Sequence, residues 1–176
     1  MSNISRIAVG LIIIAAIFGG AYLSLPKSGH TVDYTLALQA LDGSTVTLAD
    51  QKGKTVFVNF FATWCSPCRA EFPEISKLHT KYASRGIKII SISIDDKKDF
   101  SKVESFASGQ NARQLVLFGE NAQQLASQFG VSGIPANFLL GADGKVLKSW
   151  EGYSPSEIPE WESAIEMALG GPGSSR

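Results

Sequence analysis

The sequence predicts an α/β domain: a mixed central sheet with helices on both faces. Three observations predict it. The apolar, β-branched and aromatic run Lys54 to Ala62 (KTVFVNFFA) is followed by apolar positions at helical spacing and then by a second run, Ile87 to Asp95 (IKIISISID). Strand, helix, strand of this kind is a βαβ unit with parallel strands. Two Asp-Gly pairs, Asp42-Gly43 and Asp143-Gly144, each stand between strand-like runs and predict antiparallel hairpins. Finally, 176 residues with 44% hydrophobic side chains suffice for one buried core plus terminal extensions.

The elements follow in order. Ile7 to Leu25 (IAVGLIIIAAIFGGAYLSL) is apolar throughout and carries no charge. About 19 residues of helix span a bilayer core of ~30 Å. Residues 1–25 therefore read as an N-terminal membrane anchor, with Arg6 holding the short tail in the cytoplasm and Lys27 weakening the charge bias. A signal sequence cut before Tyr22, after the small residues Gly19 and Ala21, is the competing reading; the length of the run favours the anchor. Either reading puts the remaining chain outside the cytoplasm. Residues 26–32 form a linker, 33–169 the folded domain, and 170–176 (GGPGSSR) a flexible tail.

Within the domain, YTLALQA and STVTLAD make an N-terminal hairpin. Lys54 to Ala62 is a strand buried on both faces. From Ser66 to Ser84, Phe72, Ile75, Leu78, His79 and Tyr82 keep helical spacing, and Gly86 ends the run. Ile87 to Asp95 is the next strand. A helix over about Lys98 to Ser108 follows, with Phe100, Val103 and Phe106 on one face, then the strand QLVLFG and a short helix, NAQQLASQFG, with an Asn cap and a Gly stop. PANFLL and KVLKSW make the second hairpin, and SPSEIPEWESAIEMAL closes the domain as a helix with Pro159 near its start. There is no internal repeat.

Sixteen basic residues balance sixteen acidic ones, and no basic block occurs, which argues against a nucleic-acid partner. The chain has only two cysteines, too few for a disulfide scaffold. Both lie in NFFATWCSPCRAEFP, Asn59 to Pro73, where the strand leads into the helix. Cys65 takes the N-cap position. Pro67 fits the first turn, where an N–H has no intrahelical partner. Cys68 falls at N3, with its N–H aimed at the Cys65 sulfur. That N–H and the helix dipole favour a thiolate at Cys65, and a lowered pKa makes a better attacking and leaving sulfur. Cys68, one turn in, is more buried and resolves a mixed disulfide formed on Cys65.

A metal site would need about four ligands. His30 lies in the linker and His79 some three turns along the helix from Cys65, so no metal and no cofactor is expected. Strand–CxxC–helix is the context that marks redox use over a mere pair of core thiols. In SGIPANF, Pro135 stands directly before a strand; it suits a tight turn that a cis bond would serve, and equally an ordinary loop proline. Asp95 and Asp96, at a strand end, read as a solvated helix cap.

NFFATWCSPCRAEFP together with SGIPANFLLGADGKV resembles the thioredoxin superfamily, and within it the membrane-anchored thiol-disulfide reductases of the TlpA/ResA type, which assist bacterial cytochrome c maturation. The resemblance covers nearly all of Val32 to Leu169. It includes the N-terminal hairpin and the inserted strand and helix between Ile87 and Phe118. It implies a thioredoxin-like fold and a redox-active disulfide between Cys65 and Cys68. It also implies a cis Pro135 against that disulfide, an Ile134 that presents backbone to a bound peptide, and a substrate surface completed by Trp64 and Pro67. Implied partners are a client protein disulfide and a membrane-embedded thiol-disulfide electron donor, at the outer face of a bacterial cytoplasmic membrane. Thioredoxin has a buried Asp six residues before its first cysteine; here that position is Asn59, which takes no proton. Glu71, three residues after Cys68 on the same helix face, is the candidate to act instead, and it matches a functional Glu of the cytochrome-maturation branch. A solvated helix-end Glu is the plainer alternative. Phe61 stands where many relatives have Trp. Two rival functions are a thiol peroxidase of the peroxiredoxin-like branch, disfavoured by the vicinal cysteine pair, and a Cu(I)-binding module, disfavoured by the lack of a Met-rich stretch or nearby His.

Overall fold

The computed structural model describes residues 32–171. The proposed membrane segment, most of the linker and the tail from residue 172 lie outside the described residues. Among the described residues no helix is long and apolar enough to cross a membrane.

Seven strands form one sheet: β1 (Leu38–Ala40), β2 (Thr45–Val46), β3 (Val56–Phe61), β4 (Lys88–Ser93), β5 (Leu115–Phe118), β6 (Ala136–Leu140) and β7 (Val146–Glu151). Their order is β2-β1-β5-β4-β3-β6-β7. β3, β4 and β5 run parallel, as the βαβ reading requires, and both hairpins are antiparallel. β1 also pairs antiparallel with β5, which brings the N-terminal hairpin into the sheet as its edge. The helices are α1 (Ser66–Tyr82), α2 (Phe100–Gly109), α3 (Ala122–Gln128) and α4 (Ile158–Ala168).

β3 is buried along its whole length because both of its faces are covered. Val56, Val58 and Phe60 point to one side and pack with Phe138, Leu125 and Ala126 beneath α3. Phe57 points to the other and packs with Ile75, Leu78, Tyr82 and Trp161 under α1 and α4. Phe61 shares that second side, where Phe61, Phe72 and Phe106 form an aromatic triangle with centroids 4.9–5.3 Å apart. The triangle ties β3, α1 and α2 together directly below the cysteines.

Two local expectations change. The helix expected from Lys98 begins at Phe100, because Lys97–Asp99 form a 3-10 turn closed by the Asp99 N–H on the Asp96 carbonyl. Asn121 precedes α3 but does not cap it; its amide donates to the Ala37 carbonyl at 3.0 Å and so pins the N-terminal hairpin.

Candidate active site

The strand β3 ends at Phe61, and four residues later the chain enters α1. Cys65 is the N-cap of α1, in extended conformation, and Pro67 occupies the first turn. The Cys68 N–H donates to the Cys65 sulfur at 3.2 Å. The two sulfurs are joined as a disulfide. Both residues are largely covered in this oxidised state: Cys65 is 5% exposed and Cys68 1%. Cys65 keeps the greater access, though less than an exposed nucleophile was expected to have. Trp64, just before it, is 70% exposed and is the most open aromatic residue at this end of the domain.

The loop before β6 closes over the sulfur pair. Its Ile134–Pro135 bond is cis. The Ile134 carbonyl oxygen lies 3.7 Å from Cys65 Sγ. The Pro135 carbonyl accepts the Gly152 N–H at 2.8 Å, which holds the loop to the end of β7.

Beneath the cysteines lies a polar group inside an otherwise apolar layer. Glu71, on α1, is 1% exposed. Its two carboxylate oxygens accept from Asn59 Nδ2 at 2.8 Å and from Asn137 Nδ2 at 2.6 Å. Asn59 and Asn137 face each other across β3 and β6, and Asn59 Nδ2 also donates to Asn137 Oδ1 at 2.9 Å. Burial pushes the Glu71 carboxyl up to about 8, against the opposing effect of the two amide donors. Glu71 is thus no solvated helix-end charge. Its position on α1 three residues from Cys68 puts both side chains on the sheet-facing side of that helix.

Asp95 corrects another expectation. It is buried rather than solvated, and it organises the turn into the site. Its oxygens accept from the Thr63 N–H at 2.8 Å, the Thr63 hydroxyl at 2.8 Å and the Ser93 hydroxyl at 2.6 Å. Thr63 lies two residues before Cys65, so a carboxylate on β4's exit fixes the approach of the chain to the helix N-terminus. Asn137 was not singled out from the sequence at all. The signal was present: it interrupts the apolar PANFLL run as Asn59 interrupts VFVNFF.

Sulfur at a helix N-terminus, a covering cis-proline loop and a buried proton-carrying carboxyl together suit thiol–disulfide exchange. Known proteins agree with that chemistry. Residues 27–165 match the Redoxin family. The chain is 35% identical over 117 residues to the thiol-disulfide oxidoreductase ResA of Bacillus anthracis, a match that spans 66% of each chain. It is 30% identical over 141 residues to the ResA protein of Bacillus subtilis, covering 80% of this chain and 75% of that one. Among solved structures, a candidate thiol:disulfide interchange protein DsbE of Chlorobium tepidum superimposes with a TM-score of 0.70 at 32% identity, covering 77% of this chain and 93% of that one. A second Chlorobium tepidum thiol:disulfide interchange protein of the thioredoxin family gives 0.64 at 29% identity, with the same coverage.

Proposed function

The chain belongs to the redoxin family and to its thioredoxin-like thiol-disulfide oxidoreductases, and we propose that it reduces disulfide bonds of client proteins outside the cytoplasm. The observation that carries this reading is the Cys65–Cys68 disulfide at the N-terminus of α1, with the Ile134 carbonyl 3.7 Å from Cys65 Sγ.

In the reduced protein, the Cys68 N–H and the helix dipole stabilise a thiolate at Cys65. That thiolate attacks one sulfur of a client disulfide. A bond forms between Cys65 and the client, and the client's second sulfur leaves as a thiolate that takes up a proton. Cys68 then loses its proton and attacks Cys65 Sγ. The mixed disulfide breaks, the client's first sulfur leaves and is protonated, and the Cys65–Cys68 bond closes. Two electrons have passed to the client, and its two sulfurs have taken up two protons from the solvent. Burial pushes the Glu71 carboxyl up to about 8, close to a thiol, so near neutral pH a minor ionised fraction is present, and that carboxylate accepts the Cys68 proton in the second step. Trp64, Pro67, Ile134 and Pro135 form the surface on which the client rests, with Ile134 offering backbone to it.

A membrane-embedded thiol-disulfide donor reduces the pair again, and residues 7–25 anchor the domain beside it; cytochrome c maturation is the setting that the resemblance of the cysteine and proline segments to the TlpA/ResA type implies. The test is turnover of a protein disulfide such as insulin with dithiothreitol as donor. Wild type accelerates it; Cys65→Ser abolishes the acceleration. Equal activity in wild type and Cys65→Ser would remove the reading.

A further inference from the structure

The surface between α1 and α2 is grooved, beginning near Thr63 and Arg69, beside the dithiol segment, and continuing along α1. Two cavities mark it. The upper one, about 460 Å³, is lined by Thr63, Arg69, Ser101, Lys102, Ser105 and Phe106. The lower one, about 480 Å³, is lined on α1 by Pro73, Ser76, Lys77, Thr80 and Lys81, with Arg113 across from them. Arg69, Pro73, Ser76, Lys77 and Thr80 fall at i, i+4, i+7, i+8 and i+11, a single stripe of α1. The two cavities therefore lie in line along one face of α1.

That track is basic and contains no carboxylate. None of the residues lining either cavity is Asp or Glu, whereas five are Lys or Arg. Three of those five have ion-pair partners: Lys77 with Glu74, Lys81 with Glu162 and Lys102 with Asp99, at 2.8 Å each. In all three pairs the lysine end is exposed and its carboxylate partner half-buried, so solvent screens the ammonium and the pair holds it weakly. The two arginines, Arg69 at the upper end and Arg113 at the lower, are exposed and have no carboxylate partner among the described residues. Arg69 is held in place by stacking, its guanidinium 5.4 Å from the Phe106 ring centre. It stands one helical turn from Cys65 and one residue from Cys68. An unpaired guanidinium fork presented beside hydroxyls is the arrangement that recognises carboxylates.

We propose that this groove binds an acidic stretch of the client polypeptide next to the disulfide being reduced. The inference rests on the oxidoreductase reading and adds the substrate's chemistry to it. From Arg69 to Thr80 α1 rises roughly 17 Å, the span of about five extended residues. The client therefore carries Asp or Glu within about five residues to one side of the cysteine that Cys65 attacks. The exposed Ser101 and Ser105 hydroxyls of α2 serve the peptide backbone between those side chains.

The test uses the oxidised full chain in neutral detergent micelles. The probe is a fluorescent, cysteine-free peptide with an Asp/Glu core, compared with a Ser/Asn peptide of equal length. The acidic peptide binds about tenfold tighter or better at low salt, and the preference collapses near 1 M salt, where screening acts within ~3 Å. Arg69→Gln and Arg113→Gln each weaken it about three- to fivefold, the range of an exposed charge pair; Lys148→Gln, on β7 at the opposite edge of the sheet, leaves it unchanged. A second readout uses the same two peptides carrying a disulfide and the reduced protein. The acidic one is reduced faster, and Arg113→Gln cuts that advantage about three- to fivefold while leaving the rate toward the neutral reagent dithiodipyridine intact. Equal binding of the two peptides, or a preference that survives both arginine substitutions, overturns the proposal. So does shielding of the two arginines from phenylglyoxal by phosphatidylglycerol nanodiscs without peptide binding, which assigns the track to a membrane surface. Wild type that reduces neither disulfide sinks the oxidoreductase reading, and the binding arm still decides the groove.

Discussion

Between pH 4.5 and about 8 the folded, oxidised protein holds a proton on Glu71 that the unfolded chain has released. Stability therefore falls as pH rises through that window, by about 1.4 kcal/mol per pH unit at its steepest, and levels off above the folded-state value. Urea titrations of the oxidised protein at several pH values measure this slope directly. Glu71→Gln should flatten it, and a slope unchanged in the variant would show that another group carries it. The same carboxyl governs the thiols. In the oxidised protein Glu71 is mostly neutral below about pH 8, and a neutral carboxyl costs a Cys65 thiolate nothing. Above that pH its charge opposes a second anion, and the groups titrate as a set. Alkylation rates of wild type and Glu71→Gln should thus coincide near pH 6 and diverge above pH 8, the variant reacting faster; superimposable curves throughout would reduce Glu71 to a structural role. Asp95 gives a contrasting case. Asp95→Ala leaves the buried Thr63 N–H without its acceptor, for a loss of about 1–3 kcal/mol in the same urea experiment. Of these residues, Glu71 was legible because its spacing from Cys68 is local. Asn137 and Asp95 were not, because Asn137 meets Glu71 and Asn59, and Asp95 meets Thr63, only through the fold, and no local pattern reports what lies that far away in sequence.

At the scale of elements, apolar period carried most of the information. The parallel pair, both hairpins and the long helix follow from runs whose neighbours in space are their neighbours in sequence, as β3, α1 and β4 are. Departures came where a tertiary contact outbid a local signal. Asn121 has the chemistry of a cap, but the Ala37 carbonyl of the N-terminal hairpin takes its amide instead. β1 starts late because Asp33–Leu36 form a turn closed by the Leu36 N–H on the Asp33 carbonyl, and β2 ends early because Leu48 turns inward to the core before a 3-10 turn over Ala49–Gln51. The aromatic triangle is the element-scale test. Phe72 is fully buried and touches both Phe61 and Phe106, so it couples the cysteine-bearing helix to β3 and α2. Phe72→Ala should cost about 3–5 kcal/mol and should loosen the helix that holds the dithiol. Hydrogen exchange resolved by residue would show the first turns of α1 losing protection before β3 does. Uniform loss across the domain would mean that the triangle supports the core in general and not that helix in particular.

For the whole molecule, a helix N-terminus, a covering loop and a buried carboxyl converge on one pair of sulfurs at one end of the sheet. The CxxC segment and the proline loop were both readable because each chemistry is written in a few adjacent residues; their meeting across 69 positions, from Cys65 to Ile134, is a property of the fold. The location is a separate proposal. Fractionated cells should hold the full-length chain in the membrane, and a soluble form starting near Tyr22 would instead show a cleaved signal. The most direct test of the central claim is to react reduced Cys68→Ser and Cys65→Ser proteins with one synthetic peptide disulfide and to map the products by mass spectrometry. The account predicts a stable mixed disulfide on Cys65 in Cys68→Ser and little or none on Cys68 in Cys65→Ser. Equal adducts on the two variants, or a preference for Cys68, would contradict it.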